Sequence, residues 1–224
     1  MDVVDRVRAV LLLDSNVTGV ELVGSRSSGI ETALSDWDIQ IAAIDLDELM
    51  AALPSLTAQL TPLAAQWDRL SSRPVYMLIL PGGIKVDLFA DDRPRTSEPP
   101  WQPQSDNLMA IDAHFWDWIL WLGGKQLRGQ ADLVDEECQK LYVHLLQPLG
   151  ASAVARSIAS AVEQYLDLRT GAERIAHVPV DRRLGQAVFA RLRDEGLVWS
   201  YVDADGSSHQ FRWRTSCCGT APVR

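Results

Sequence analysis

Cysteine is scarce in this chain and badly placed for a disulfide framework. The three cysteines among 224 residues are Cys138 and the adjacent pair Cys217-Cys218. Neighbouring cysteines rarely bridge each other, because the geometry strains the peptide between them. A secreted, disulfide-stapled scaffold is therefore excluded. The four histidines are scattered and show no metal-ligand spacing, which argues against a zinc site. No apolar run approaches the roughly 20 residues needed to span a bilayer. The opening MDVVDRVRAVLLLDS carries acids among its first five residues and no small-residue cleavage signal, so it reads poorly as a signal peptide. A cytoplasmic protein with no membrane partner is the expectation. Positive charge is also short: 21 Lys and Arg against 30 Asp and Glu give a net charge of −9 and a pI near 4.9. A general nucleic-acid binder needs a basic stripe to displace counterions from phosphates, so no nucleic-acid partner is expected. A cationic small molecule remains compatible with that balance.

What the chain does have is apolar material: 47% hydrophobic residues and a mean hydropathy of −0.04, enough for one large domain or two small ones. Apolar spacing predicts a short amphipathic helix over 2–13, and a β-rich run predicts a strand over 17–23. Gly24-Ser25 ends that strand and opens a turn with a short helix to Leu34. Residues 36–43 alternate as a strand, placing Asp36 and Asp38 on one face and Trp37 and Ile39 towards the core. Residues 45–60 are helical in pattern, with Asp45 as N-cap and Pro54 as a break or kink. Strands over 75–80 and 84–90 flank Pro81-Gly82-Gly83, a hairpin signal that makes them antiparallel and the sheet mixed. Residues 91–106 are proline-rich and polar and form the best linker. Helical patterns follow over 107–122, 131–146, 151–168 and 181–195, and a hairpin around Asp205-Gly206 is expected within 198–214. Helix followed by hairpin is also the outline of a winged helix, a reading that the acidic charge disfavours.

The chemistry concentrates in the first half. Phosphoryl and nucleotidyl transfer demand charge management more than covalent chemistry. Two divalent ions about 4 Å apart can bridge a triphosphate and stabilise entering and leaving oxygens. Magnesium prefers carboxylate oxygen and water. Asp36 and Asp38 at i and i+2, joined by Asp87 from a neighbouring strand, supply such ligands. Gly24 permits close backbone approach, the Ser25 hydroxyl can donate, and the following helix start offers free N–H groups. Taken singly, a Gly-Ser is a turn and an Asp-X-Asp is a strand start. In order and at this spacing they form a constellation.

That constellation resembles the nucleotidyltransferase superfamily, which includes DNA polymerase β and the antibiotic nucleotidyltransferases. The matching residues are Val23-Gly24-Ser25, ten residues from Arg26 to Ser35, Asp36-Trp37-Asp38-Ile39, and then Asp87. The likeness spans about residues 17 to 90. Size and a helical second half are similar to the small bacterial enzymes that adenylylate aminoglycosides or lincosamides. The resemblance implies an α/β architecture: a mixed-sheet catalytic domain over 1–104 and a mainly helical domain over 105–224, with the active site between them. It implies Mg2+, two ions, held by Asp36, Asp38 and Asp87, with Asp87 helping to orient or deprotonate the acceptor. It implies a nucleoside triphosphate, ATP favoured, with Gly24 and Ser25 on its β- and γ-phosphates. The implied reaction moves AMP to a hydroxyl of a small, cationic, aminoglycoside-like acceptor. Some relatives use a separate carboxylate as base, and Asp91, Asp92, Asp106 and Asp112 all remain open.

Cations are weighed separately. Arg26 could pair with phosphate or face solvent. In Gly123-Gly124-Lys125-Gln126-Leu127-Arg128-Gly129, Lys125 and Arg128 could share a helix face, with Lys125 the better candidate to reach the triphosphate. The alternative is a solvated helix end whose cations complement the dipole. Phe115, Trp116, Trp118 and Trp121 are expected mostly in packing, as is His114 against Trp118. Two other functional readings stay open: modification of a protein partner, as in nucleotidyltransferase-type antitoxins, and a non-catalytic nucleotide-binding module. The oligomeric state is not encoded in any motif.

Overall fold

The computed structural model describes residues 2–90 and 101–197, and the backbone alone at 201–202 and 208–209. The chain begins with helix α1 (Val3–Leu11), whose buried Val4, Val7 and Leu11 follow the helical period and whose first N–H is capped by Asp2. Strand β1 (Val17–Val23) leads into α2 (Gly24–Ser27), a single turn, and then β2 (Trp37–Ala43). Helix α3 (Leu46–Thr57) starts at Asp45, whose carboxylate accepts from the amides of Asp47 and Glu48 at 3.0 Å. Pro54 sits inside α3 without ending it, and the helix tightens to a 3-10 turn only at Ala58–Leu60. Strands β3 (Ala64–Trp67), β4 (Val75–Leu80) and β5 (Ile84–Phe89) complete the sheet.

The sheet order is β1-β2-β5-β4-β3. Only β2 and β5 run parallel; every other pairing in this sheet is antiparallel. One face carries Ile39, Ile41, Leu78, Leu80, Val86 and Leu88 against α1 and α3. On β5 the two-residue strand period then sends Lys85 and Asp87 to the opposite face.

That opposite face receives the helices. The longest, α4 (Leu108–Leu127), is followed by α5 (Ala131–Leu141), a π turn at Tyr142–Leu146, α6 (Ile158–Ala176) and α7 (Arg183–Asp194). Their core contains Phe115, Trp116, Tyr165 and Val188 and takes in Met77 and Ile79 from the sheet. The Phe115 and Tyr165 rings stack at 3.7 Å. Two residues each of β6 (Tyr201–Val202) and β7 (Ser208–His209) pair antiparallel, so the expected terminal hairpin forms where it is described. The α/β class, with a mixed sheet followed by helices, is as the sequence implied. No helix among the described residues is long and apolar enough to cross a membrane.

Several boundaries differ from expectation. Strand β2 begins at Trp37, so Asp36 is the last residue of a loop rather than the first of a strand. Helix α4 runs through Gly123-Gly124 to Leu127, because close packing there suits residues without side chains. Helix α6 starts at 158 rather than 151, fixed by a capping box in which Ser157 and Ser160 each accept from the other's amide. Most of the 91–106 linker and the pair Cys217-Cys218 lie outside the described residues.

Candidate active site

Asp38 and Asp87 are direct partners in the parallel β2–β5 register. Asp36, at the mouth of β2, brings a third carboxylate, and one oxygen from each of the three lies within 4.8 Å of the others. The acids line a cleft of about 420 Å³ between the sheet and the helices, within the usual size for a small-molecule site. Burial pushes the Asp38 carboxyl up to about 7, and the neighbouring Asp36 and Asp87 charges push the same way. Burial also raises Asp87, against the opposing pull of Lys85.

Lys85 is the main functional side chain that sequence reasoning missed. Its ammonium is buried and donates to Asp87 Oδ1 at 2.8 Å and to Asp117 Oδ1 at 2.7 Å. Burial works against that charge, but Asp117 and Asp87 outweigh it and hold the lysine well above its ordinary value. Asp117 is carried by α4, on the helical wall of the cleft, and burial raises its carboxyl in turn. Asp87 and Asp117 thus share one buried ammonium, while Asp36 and Asp38 stand beside them without a direct bond to it. The surplus negative charge is what a divalent cation would neutralise, and hard carboxylate oxygens fit magnesium.

Gly24 stands at φ +71°, and a Cβ built there would run into the Asp38 carboxylate, with Cγ at 2.8 Å. A glycine is needed both for the backbone and for the carboxylate. The Ser25 hydroxyl is buried and has no hydrogen-bond partner, and neither Gly24 nor Ser25 is among the residues lining the cleft. Because α2 is a single turn, however, no extended helix dipole stands behind these groups.

The expected cations take other work. Arg26 donates to the carbonyls of Ser35 (Nη2 at 2.7 Å) and Asp36 (Nε at 3.1 Å), and its guanidinium lies 4.1 Å over Trp37. It braces the loop behind the acids rather than facing the cleft. Arg128 donates to Ser35 Oγ at 2.7 Å. Lys125 lies 4.5 Å over the ring of Trp121, itself a cleft residue. Arg73 and Lys140 line the cleft instead.

The proposed alternative bases sort by location. Asp112 accepts from Tyr165 (2.6 Å), Trp116 (3.2 Å) and Arg169 (3.2 Å), a buried structural hub. Asp106 is exposed and borders a different hollow, beside β3. Asp91 and Asp92 lie outside the described residues. His114 packs at 5.2 Å from Trp101 and 5.7 Å from Trp118, and burial lowers it to about 4, leaving it neutral. Trp118 and Trp121 line the cleft, whereas Phe115 and Trp116 are wholly interior. Cys138 is buried and its thiol is pushed up to about 11, so it has no reactive character.

No family model and no curated protein matches the chain. Among solved structures it is similar to the polymerase core of TRAMP, an RNA surveillance complex, at 14% identity and a TM-score of 0.33, covering 92% of this chain and 62% of that one. It is also similar to an aminoglycoside 6-adenyltransferase from Bacillus subtilis, at 12% identity and a TM-score of 0.28, covering 85% and 86%. Likenesses this distant carry no weight for function, which is read below from the site's own residues.

Proposed function

We propose that the chain is a magnesium-dependent nucleotidyltransferase that moves a nucleoside monophosphate, AMP from ATP, onto a hydroxyl of a small molecule. The observation that carries this reading is the cluster of Asp36, Asp38 and Asp87 on one wall of a cleft whose other wall is helical. The division into a catalytic domain over 1–104 and a helical domain over 105–224 belongs to the same proposal, as does a cytoplasmic location.

The three carboxylates would hold the divalent ions, which supply charge neutralisation for the triphosphate and polarise the attacked phosphorus. Gly24 leaves room beside Asp38, and the unpartnered Ser25 hydroxyl donates to a phosphate oxygen. The acceptor oxygen forms a bond to the α-phosphorus as the bond to pyrophosphate breaks. Its proton passes to a carboxylate, for which we favour Asp117, on the helical wall of the cleft with Oδ1 held by Lys85. Lys85 holds Asp87 and Asp117 in place.

The lining supports one reading of the acceptor class. With Asp36, Asp38 and Asp87 assigned to metal, Asp68, Asp117 and Glu137 remain in the lining beside Arg73, Lys85 and Lys140, and Trp118 and Trp121 offer ring faces. Carboxylates with aromatic faces suit a hydroxylated cation, so aminoglycoside-like compounds head the screen.

Calorimetry of ATP binding with and without Mg2+, on wild type and on Asp36→Asn/Asp38→Asn, tests the site. Magnesium-dependent binding that vanishes in the variant supports the reading. Binding that ignores both metal and substitution overturns it.

A further inference from the structure

Asp36 differs from its two companions in what carries it. Asp38 and Asp87 stand in adjacent strands, but Asp36 ends a loop that leaves α2. The exposed stretch 28–31 gives way abruptly to buried Leu34 and Ser35. Leu34 belongs to the core formed by the helices, not to the core beneath the sheet. Helix α4 presents Gly123 and Gly124 to it: a Cβ on Gly123 would lie 3.1 Å from Leu34 Cδ1 and 2.7 Å from Leu192 Cδ2, and one on Gly124 would lie 3.5 Å from the Leu34 carbonyl oxygen.

Arginines complete the attachment. From α4, Arg128 donates to Ser35 Oγ at 2.7 Å, and the same oxygen accepts from the Thr32 amide at 2.8 Å. From α7, Arg191 donates to the Ala33 carbonyl at 2.5 Å. From the sheet side, Arg26 grips the carbonyls of Ser35 and Asp36. The segment just ahead of Asp36 is thus fastened to α4 and α7 as well as to Arg26 of α2.

We propose that Arg128 and Arg191, with Leu34 seated in the helical core, are positioning residues for Asp36, so that the helices complete the metal site. This rests on the reading of Asp36, Asp38 and Asp87 as metal ligands. A ligand on an untethered loop must be ordered when the ion binds, and that entropy is subtracted from affinity. A tethered loop has been ordered by folding.

The test is Mn2+ affinity of the full chain by calorimetry at pH 8, for wild type, Arg128→Ala/Arg191→Ala, and each of these carrying Asp36→Asn. The double arginine variant is expected to bind Mn2+ about 10-fold more weakly, the scale for removing groups that orient metal ligands. In the Asp36→Asn background the same substitutions should cost nothing further, because the ligand they position is already lost. Arg128→Lys, which keeps a donor, should recover part of the affinity. Arg182→Ala, which breaks the Glu173 pair elsewhere among the helices, should leave affinity unchanged. If the double variant loses its cooperative melt, the single substitutions carry the same cycle. Unchanged affinity, or an equal loss with and without Asp36→Asn, overturns the positioning role while leaving the metal site standing. A wild type that binds no Mn2+ overturns the metal reading itself.

Discussion

Asp38 on β2 and Asp87 on β5 face each other across the one parallel pairing in the five-stranded sheet. Two carboxylates at matched positions on adjacent strands repel each other unless a cation lies between them or one of them binds a proton. Burial raises both carboxyls; the Asp36 and Asp87 charges add to it at Asp38, and the Asp117 and Asp36 charges add to it at Asp87 against the pull of Lys85.

Asp38→Asn removes one of the proposed metal ligands and half of that pair. Magnesium-dependent ATP binding should disappear and transfer should fall by about 100-fold or more, since groups that only orient metal ligands are already worth about 10- to 100-fold. Far-UV circular dichroism should remain that of wild type. Pyrophosphate release with a responsive acceptor reads the activity.

The pH dependence has a definite sign. The folded Asp38 carboxyl sits at about 7, above its unfolded value. Its contribution to stability is complete below the unfolded value and is lost as pH rises towards 7. A divalent cation competes with that proton. Melting curves with and without Mg2+ should show a small shift at pH 5.5 and a larger one at pH 8. Asp38→Asn should flatten the difference between the two.

Lys85→Met strands two buried carboxylates. Removing one partner of a buried pair costs about 3–5 kcal/mol, so urea denaturation should show a loss of that order. Adding Asp117→Leu should restore part of it by removing one of the stranded charges. A loss under about 1 kcal/mol for Lys85→Met would mean that the carboxylates simply take up protons.

Gly24→Ala meets two obstacles, a left-handed backbone and the Asp38 carboxylate. The strain should cost about 1–3 kcal/mol, and Mg2+ affinity should fall with it. Gly29→Ala shares the positive φ but has open space around it, so it should lose stability and keep its metal affinity.

Asp112→Ala should separate folding from chemistry. It leaves Tyr165, Trp116 and Arg169 without their shared acceptor. A loss of about 3–5 kcal/mol in urea denaturation is expected. Mg2+ binding by the folded fraction should be unchanged.

How much of this was legible beforehand depended on range. Strands β1, β4 and β5 were readable because alternation and the Pro81-Gly82-Gly83 turn are local signals. Strand β3 was missed: Ala64-Ala65-Gln66-Trp67 has no β-branched residue and forms only because β4 offers an edge. The three acids were visible through their spacing. Lys85 was not, since its meaning lies in Asp117, thirty-two residues further on. Arg26 was read as a ligand for phosphate because nothing local shows that the carbonyls of Ser35 and Asp36 curl back to it.

Leu34 is rooted among residues of α4 and α7 although it precedes strand β2 by only a few positions. The sheet half is therefore not an interchangeable cassette. A chimera that kept residues up to Phe89 and borrowed helices from another protein would inherit all three carboxylates yet not their spacing, unless the borrowed helices also supplied a flat Gly-Gly surface and the two arginines. Any exchange of helices would have to carry these matching parts along.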